Sequence, residues 1–179
     1  MTDGKQIPLE FKNRLLFFQD QAKNQFSFLQ DFGYSLDKIE SGQTENFRDY
    51  FSELTFSNGE TIIKIHFSTD IINGSKTAFP KLKDEELPAV DTSITCSIWD
   101  KNAFMSIHSY AEAKFPEISK ENFTIKLGSP NLEKEIEKVT KNYSDFIRTN
   151  LKAVLEKKLI YDCYTDRFYD KVFKEINYR

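Results

Sequence analysis

The sequence predicts an α+β protein: a long N-terminal helix, a five- to six-stranded mainly antiparallel sheet, and two C-terminal helices packed on one sheet face. Three observations lead there. Residues 9–32 place apolar side chains three and four apart, which makes one helical stripe. Residues 47–68 alternate in period two around Asn58-Gly59, the dipeptide that tight hairpins favour because it accepts φ > 0. Residues 132–155 return to helical spacing. Strands that follow one another without intervening helices pair antiparallel.

Length and composition set the bounds. The chain has 179 residues and 17 Phe, enough for one domain with an aromatic-rich core. No repeat or linker-like tract divides it, so residues 1–179 read as a single domain. The net charge is −3, divided as −5 over residues 1–130 and +2 over residues 131–179. A chain this close to neutral, without a basic stripe, argues against a nucleic-acid partner. No apolar run approaches the ~20 residues that cross a bilayer, so no membrane partner is expected. The N-terminal stretch MTDGKQIPLEFKNR has no apolar signal region. Cys96 and Cys163 lie far apart and in no motif, and two reduced thiols fit a cytoplasmic protein.

Taken in order, residues 1–8 are polar and read as a frayed start. The first helix carries Phe11, Leu15, Phe18, Ala22, Phe26, Leu29 and Phe32 on one stripe, and Gly33 stops it. That stripe is expected to pack on the sheet. Residues 34–40 read as a first strand, and Ser41-Gly42-Gln43 as a turn. In the main hairpin a two-residue Asn58-Gly59 loop would set Leu54 opposite Ile63, Ser52 opposite Ile65 and Tyr50 opposite Phe67 on a core face. The other face would pair Glu53 with Lys64 and Phe51 with His66. Asn73-Gly74 offers a second hairpin, and Asp84, Glu85 and Glu86 form an acidic loop between Pro80 and Pro88.

Residues 90–99 alternate, with Thr92, Ile94, Cys96 and Ile98 inward. A turn at Asp100-Lys101-Asn102 leads to a strand over 104–110, and Phe123, Ile125 and Leu127 mark a short last strand. Ser129-Pro130 reads as a helix start. The helix after it carries Leu132, Ile136, Val139, Tyr143, Phe146, Ile147, Leu151, Val154 and Leu155 as its stripe. A final helix is expected from Thr165 or Asp166.

Chemistry-bearing patterns are sparse. There is no HExxH, CxxC, GxSxG, GxGxxG or P-loop spacing. No metal and no cofactor is expected, and the sequence does not decide whether the chain is an enzyme. His66 and His108 both fall in expected strands, where they could meet in a pocket with Asp70 or Asp100. Ordinary sheet histidines are the simpler reading. Cys163 has no nearby His to form a thiolate. Glu133 and Glu137 complement a helix dipole, and Asp162, Asp166 and Asp170 interleave with Arg167, Lys171 and Lys174 as a solvated face. Phe51, Trp99 and Tyr110 are aromatics that a sheet face would expose. Phe51, His66, Trp99 and His108 are therefore the candidate binding residues.

Two stretches, FLQDFGYSLDK with the following FRDYFSELTFSNGETIIKIHF, and NLEKEIEKVTKNYSDFIRTNLKAVL, carry a resemblance. The layout resembles a set of small uncharacterised bacterial α+β proteins, some of them immunity-like proteins of toxin systems. The resemblance implies a cytoplasmic, non-catalytic protein-interaction module that binds and blocks a partner protein. The alternative expectation is a small-ligand-binding protein or enzyme with a pocket involving His66 and His108.

Overall fold

A computed structural model describes residues 9–43, 49–71, 90–100, 104–115, 117–118, 120–125 and 131–156. The expected frayed start, the Asn73-Gly74 hairpin, the acidic loop, the Ser129-Pro130 helix start, Cys163 and the final helix lie outside these residues.

The fold is α+β, with a five-stranded antiparallel sheet in the order β1-β2-β3-β4-β5. The strands are β1 (Ser35–Gln43), β2 (Asp49–Ser57), β3 (Ile62–Ile71), β4 (Val90–Trp99) and β5 (Phe104–Ser106). Helix α1 (Leu9–Gln25) precedes the sheet. Helices α2 (Ile107–Lys114), α3 (Leu132–Asn150) and the single turn α4 (Lys152–Leu155) follow it. Helices α1 and α3 cover the same sheet face and touch each other.

The α1 stripe packs as expected. Phe11, Leu15, Phe18, Ala22, Phe26 and Leu29 are all buried. Phe11 stacks on Tyr50 at 4.6 Å between ring centroids, Phe18 on Phe67 at 5.1 Å and Phe26 on Phe56 at 5.9 Å. These rungs run along the helix and meet β2 and β3. A polar clasp ties the same helix to the sheet. Gln19 Nε2 donates to Ser41 Oγ and Ser52 Oγ at 2.8 and 3.0 Å, and the two hydroxyls share a 2.9 Å bond. Ser52 is fully buried, and this network satisfies its hydroxyl.

The expected helix over 9–32 is two pieces. After Gln25 the chain tightens into a 3₁₀ segment, Ser27–Phe32. Ser27 Oγ donates back to the Asn24 carbonyl at 2.8 Å, a competing bond that bends helices. Gly33 ends the segment with φ 79°. The Gly33 amide donates to Gln30 O and the Tyr34 amide to Leu29 O, which is a Schellman closure. Leu29 and Tyr34, the positions that carry the apolar contact of this motif, are both buried.

The hairpin register is two residues from the expected one. Leu54 faces Ile65, Ser52 faces Phe67, and Glu53 faces His66. The turn centres on Gly59-Glu60, because the Asn58 amide donates to Thr61 O at 3.2 Å. Asn58 Oδ1 accepts the amides of Glu60 and Thr61 at 3.0 and 2.8 Å. Gly59, with φ 86°, then holds the first central position, where a II′ turn needs φ > 0. A slip of two keeps every side chain on its face, since the strand period is two.

Other expectations give way for local reasons. Ser41-Gly42-Gln43 is strand, not turn. A Cβ on Gly42 would stand 3.3 Å from the Phe51 ring, a tight contact, and the glycine leaves that ring room to lie across β1. The strand at 104–110 stops at Ser106, whose Oγ accepts the Ser109 amide and starts α2. Ile107 and Ala111, four apart, are the buried face of that helix. Phe123 lies in a 3₁₀ turn, Lys120–Phe123, and not in a strand. Asn131 caps α3, with its side chain accepting the Lys134 amide. The inward set of β4 is as expected. The single helix expected over 132–155 is two pieces, α3 and α4, broken at Leu151. Ile136, Val139, Tyr143, Phe146, Ile147, Leu151, Val154 and Leu155 of its stripe are buried all the same.

Phe18→Ala removes a fully buried ring from the middle rung and should cost about 3–5 kcal/mol in urea unfolding. Leu16→Ala, on the exposed side of the same helix, should stay within about 0.5 kcal/mol of wild type. Equal effects would place the helix face wrongly.

Candidate functional site

Every second residue of the sheet points away from α1 and α3, and apart from buried Thr55 the described side chains there form a face that is half-buried to exposed. The register arranges it in cross-strand rows. Gly42, Phe51, Ser68 and Ser93 form one row, and Glu40, Glu53, His66 and Thr95 the next. Lys38, Thr55, Lys64, Ser97 and Ser106 form a third. The last contains Ser57, Ile62, Trp99 and Phe104.

The charged rows organise the middle of the face. Glu40 and Glu53 are directly opposite, a like-charge pair that is unfavourable unless countered. Lys38 Nζ stands 2.7 Å from Glu40, and Lys64 Nζ 2.8 Å from Glu53. The expected Glu53–Lys64 pair is therefore present, reached diagonally because of the register shift. His66 Nδ1 lies 3.5 Å from the second Glu53 oxygen. The His66 ring stacks on Phe51 at 5.7 Å and 14°. Burial under these neighbours pushes the imidazole below its ordinary value of 6.5, outweighing the opposing pull of Glu53, while Lys64 adds to the depression.

At the other end the face is apolar. Trp99 and Phe104 are 40% and 38% exposed, and their rings meet at 4.4 Å. Trp99 Nε1 donates to Ser97 Oγ at 2.8 Å, which fixes the indole. Ile62 completes the row on β3. Hydroxyls line the rest of the β4 side, with Ser68 and Ser93 joined at 2.8 Å in the Phe51 row, at the end opposite Trp99.

Three of the four candidate binding residues, Phe51, His66 and Trp99, share this face. His108 does not. It lies in α2, with its ring 6.0 Å from buried Phe123 and its Nε2 3.9 Å from Glu112. Phe123 packs on Tyr143 of α3, whose hydroxyl donates to Ile94 O from the helix side. The two histidines are thus on opposite sides of the sheet and share no pocket. Tyr110 also belongs to α2 and packs on Phe115 and Phe146 instead of exposing a sheet-face ring. Phe104 and Ile62 were missed as site residues. A tight turn at 100–103 would have set Phe104 beside Trp99, and the true hairpin register sets Ile62 there.

Elsewhere, a groove of about 240 Å³ opens between α3 and the 3₁₀ turn, lined by Ile118, Asn122, Phe123, Asn142, Asp145, Phe146, Thr149 and Asn150. Asn142 Nδ2 already donates to Asn122 O across it, and Asn150 Nδ2 to Phe146 O. Cys96 is buried on the helix side of β4, and burial raises its thiol far above the reactive range. Among the described residues no cluster of His, Cys, Asp or Glu is arranged to hold a metal, and no helix is long and apolar enough to cross a membrane.

The described residues define a class: an α+β protein whose described helices lie on one side of a five-stranded antiparallel sheet, with a mixed polar-aromatic surface on the other. No family model matches the chain, and no curated protein and no solved structure matches it.

The lowered His66 value has a signed consequence. Below 6.5 the unfolded chain binds a proton that the native state resists, so stability falls as pH drops from that value toward the folded one. Wild type should lose more stability than His66→Gln between about pH 7.5 and about pH 5, followed by thermal melting. Parallel curves would remove His66 as a titrating group.

Proposed function

We propose that the chain is a non-catalytic protein-interaction module that engages a protein partner through the open sheet face. The mode is that of an immunity-type protein, which occupies and blocks its partner. The observation that carries this reading is the Ile62–Trp99–Phe104 row. Two large aromatics are left substantially exposed, in contact with each other and held in place by a bond from the indole to Ser97. Pre-ordered aromatic anchors of this kind supply much of the energy in protein interfaces. The hydroxyl rows and the Glu53–Lys64–His66 cluster beside them offer the polar rim that such anchors are found with. No assembled catalytic constellation competes for the face among the described residues. The resemblance to immunity-like proteins in the sequence layout points the same way.

The test compares wild type with Trp99→Ala/Phe104→Ala. Each immobilised protein is exposed to extract of the source cells, and captured proteins are identified by mass spectrometry. A specific partner should bind wild type and weaken by at least ~tenfold with the double variant. Both side chains are only partly exposed and pack on each other, so circular dichroism and a melting curve must show that the variant remains folded at the binding temperature before its capture is compared. For the immunity-type mode, the captured protein is a toxin that wild type inhibits and the variant does not. Capture that is absent, or equal for both proteins, would end the reading.

A further inference from the structure

Strand β1 ends the sheet on one side. Its neighbour is β2, and no described strand pairs with its outer edge. Its first seven residues are all exposed. Two of the exposed large apolar side chains, Leu36 and Ile39, belong to it and are each 39% exposed. A nine-residue edge strand with apolar side chains is a template for further pairing unless something blocks it.

The charges of β1 select the partner. Lys38 and Glu40 flank Ile39 symmetrically and lie on one face, 2.7 Å apart. In an antiparallel pair of two β1 strands centred on Ile39, Lys38 of each copy stands opposite Glu40 of the other. Ile39 meets Ile39 on the two-fold axis, on the helix side of the sheet. Such an arrangement is isologous, with one patch used twice. Opposite charges directly across a strand pair are favourable, and like charges unfavourable. The backbone direction is compatible. Glu40 O accepts from Ser52 Oγ of β2, so the alternating groups of Ile39 and Ser41 turn outward.

We infer that β1 is a self-association edge whose occupant is a second copy of this chain, paired antiparallel about Ile39. The ladder has a bulge at its Leu36/Lys38 step, which shortens the flat stretch around Ile39. The contact is therefore small next to the roughly 1,200 Å² of a stable complex, and the dimer forms in a concentration-dependent way. It uses the edge of the sheet and leaves the Trp99 row free, so it stands or falls apart from the partner-binding reading.

Sedimentation velocity over a concentration series tests it by charge exchange. Wild type should pass from monomer toward dimer. Lys38→Glu places Glu opposite Glu twice, and Glu40→Lys places Lys opposite Lys twice. Each single variant should shift the dissociation constant upward by about tenfold. The double variant Lys38→Glu/Glu40→Lys restores opposite pairs and should recover wild-type association. Circular dichroism confirms that each variant is folded, and recovery in the double variant separates a broken contact from a damaged chain. A wild type that stays monomeric to its solubility limit overturns the inference. So does a dimer that ignores both single exchanges, or a double variant that fails to recover.

Discussion

Three aromatic contacts between the N-terminal helical stretch, α1 and Phe26 just after it, and the central strands set the shape of everything else. Phe11 on Tyr50, Phe18 on Phe67 and Phe26 on Phe56 lay one helix along β2 and β3. Each ring pair contributes about 0.5–1.5 kcal/mol beyond the area it buries. The rungs occupy one face of the sheet, and α3 fills the rest of that face through Tyr143 and Ile147. Two further bonds lock the helices together, Ser144 Oγ to the Gln25 carbonyl and the Arg148 guanidinium over Phe28. With the aromatic content concentrated on this side, the opposite face is left to polar residues and a few exposed rings.

That one-sidedness explains why the open face is built from balanced parts. The like-charged Glu40 and Glu53 are each held by a lysine. Thr55, between Lys38 and Lys64, is buried although it points away from the helices. Flanking lysine stems cover a small residue in this way while their ammonium groups stay in water. The Phe51 ring lies across Gly42 and stacks on His66, linking three strands into one surface. Among the described residues the apolar end around Trp99 has no such cover, and Trp99 and Phe104 remain partly exposed.

Much of this was legible from residue spacing. The α1 stripe, the inward set of β4 and the α3 stripe follow from burial of a periodic apolar set, which sequence records directly. The faces of the hairpin survived a wrong register because the error was an even number of residues. What spacing did not reveal was decided by single side-chain bonds. Asn58 Oδ1 capturing two amides moved the turn by one position, and Ser106 Oγ turned a strand into a helix. Gly42 read as a turn residue because composition does not show that an aromatic ring from the next strand lies over it. Of the site, Phe51, His66 and Trp99 were found by alternation. His108 was misplaced with the strand that ended early, and Phe104 and Ile62 needed the correct pairing to come together.

Trp99 is the chain's single tryptophan, so fluorescence excited selectively at tryptophan reports on the open face. Acrylamide quenching of the native protein, compared with the same protein in denaturant, tests directly whether the sheet is covered on one side and open on the other. A sheet open on the Trp99 face predicts a red-shifted native emission and a native quenching constant that is a large fraction of the denatured one. A blue-shifted emission protected from acrylamide would mean that the face is buried, and would contradict the account.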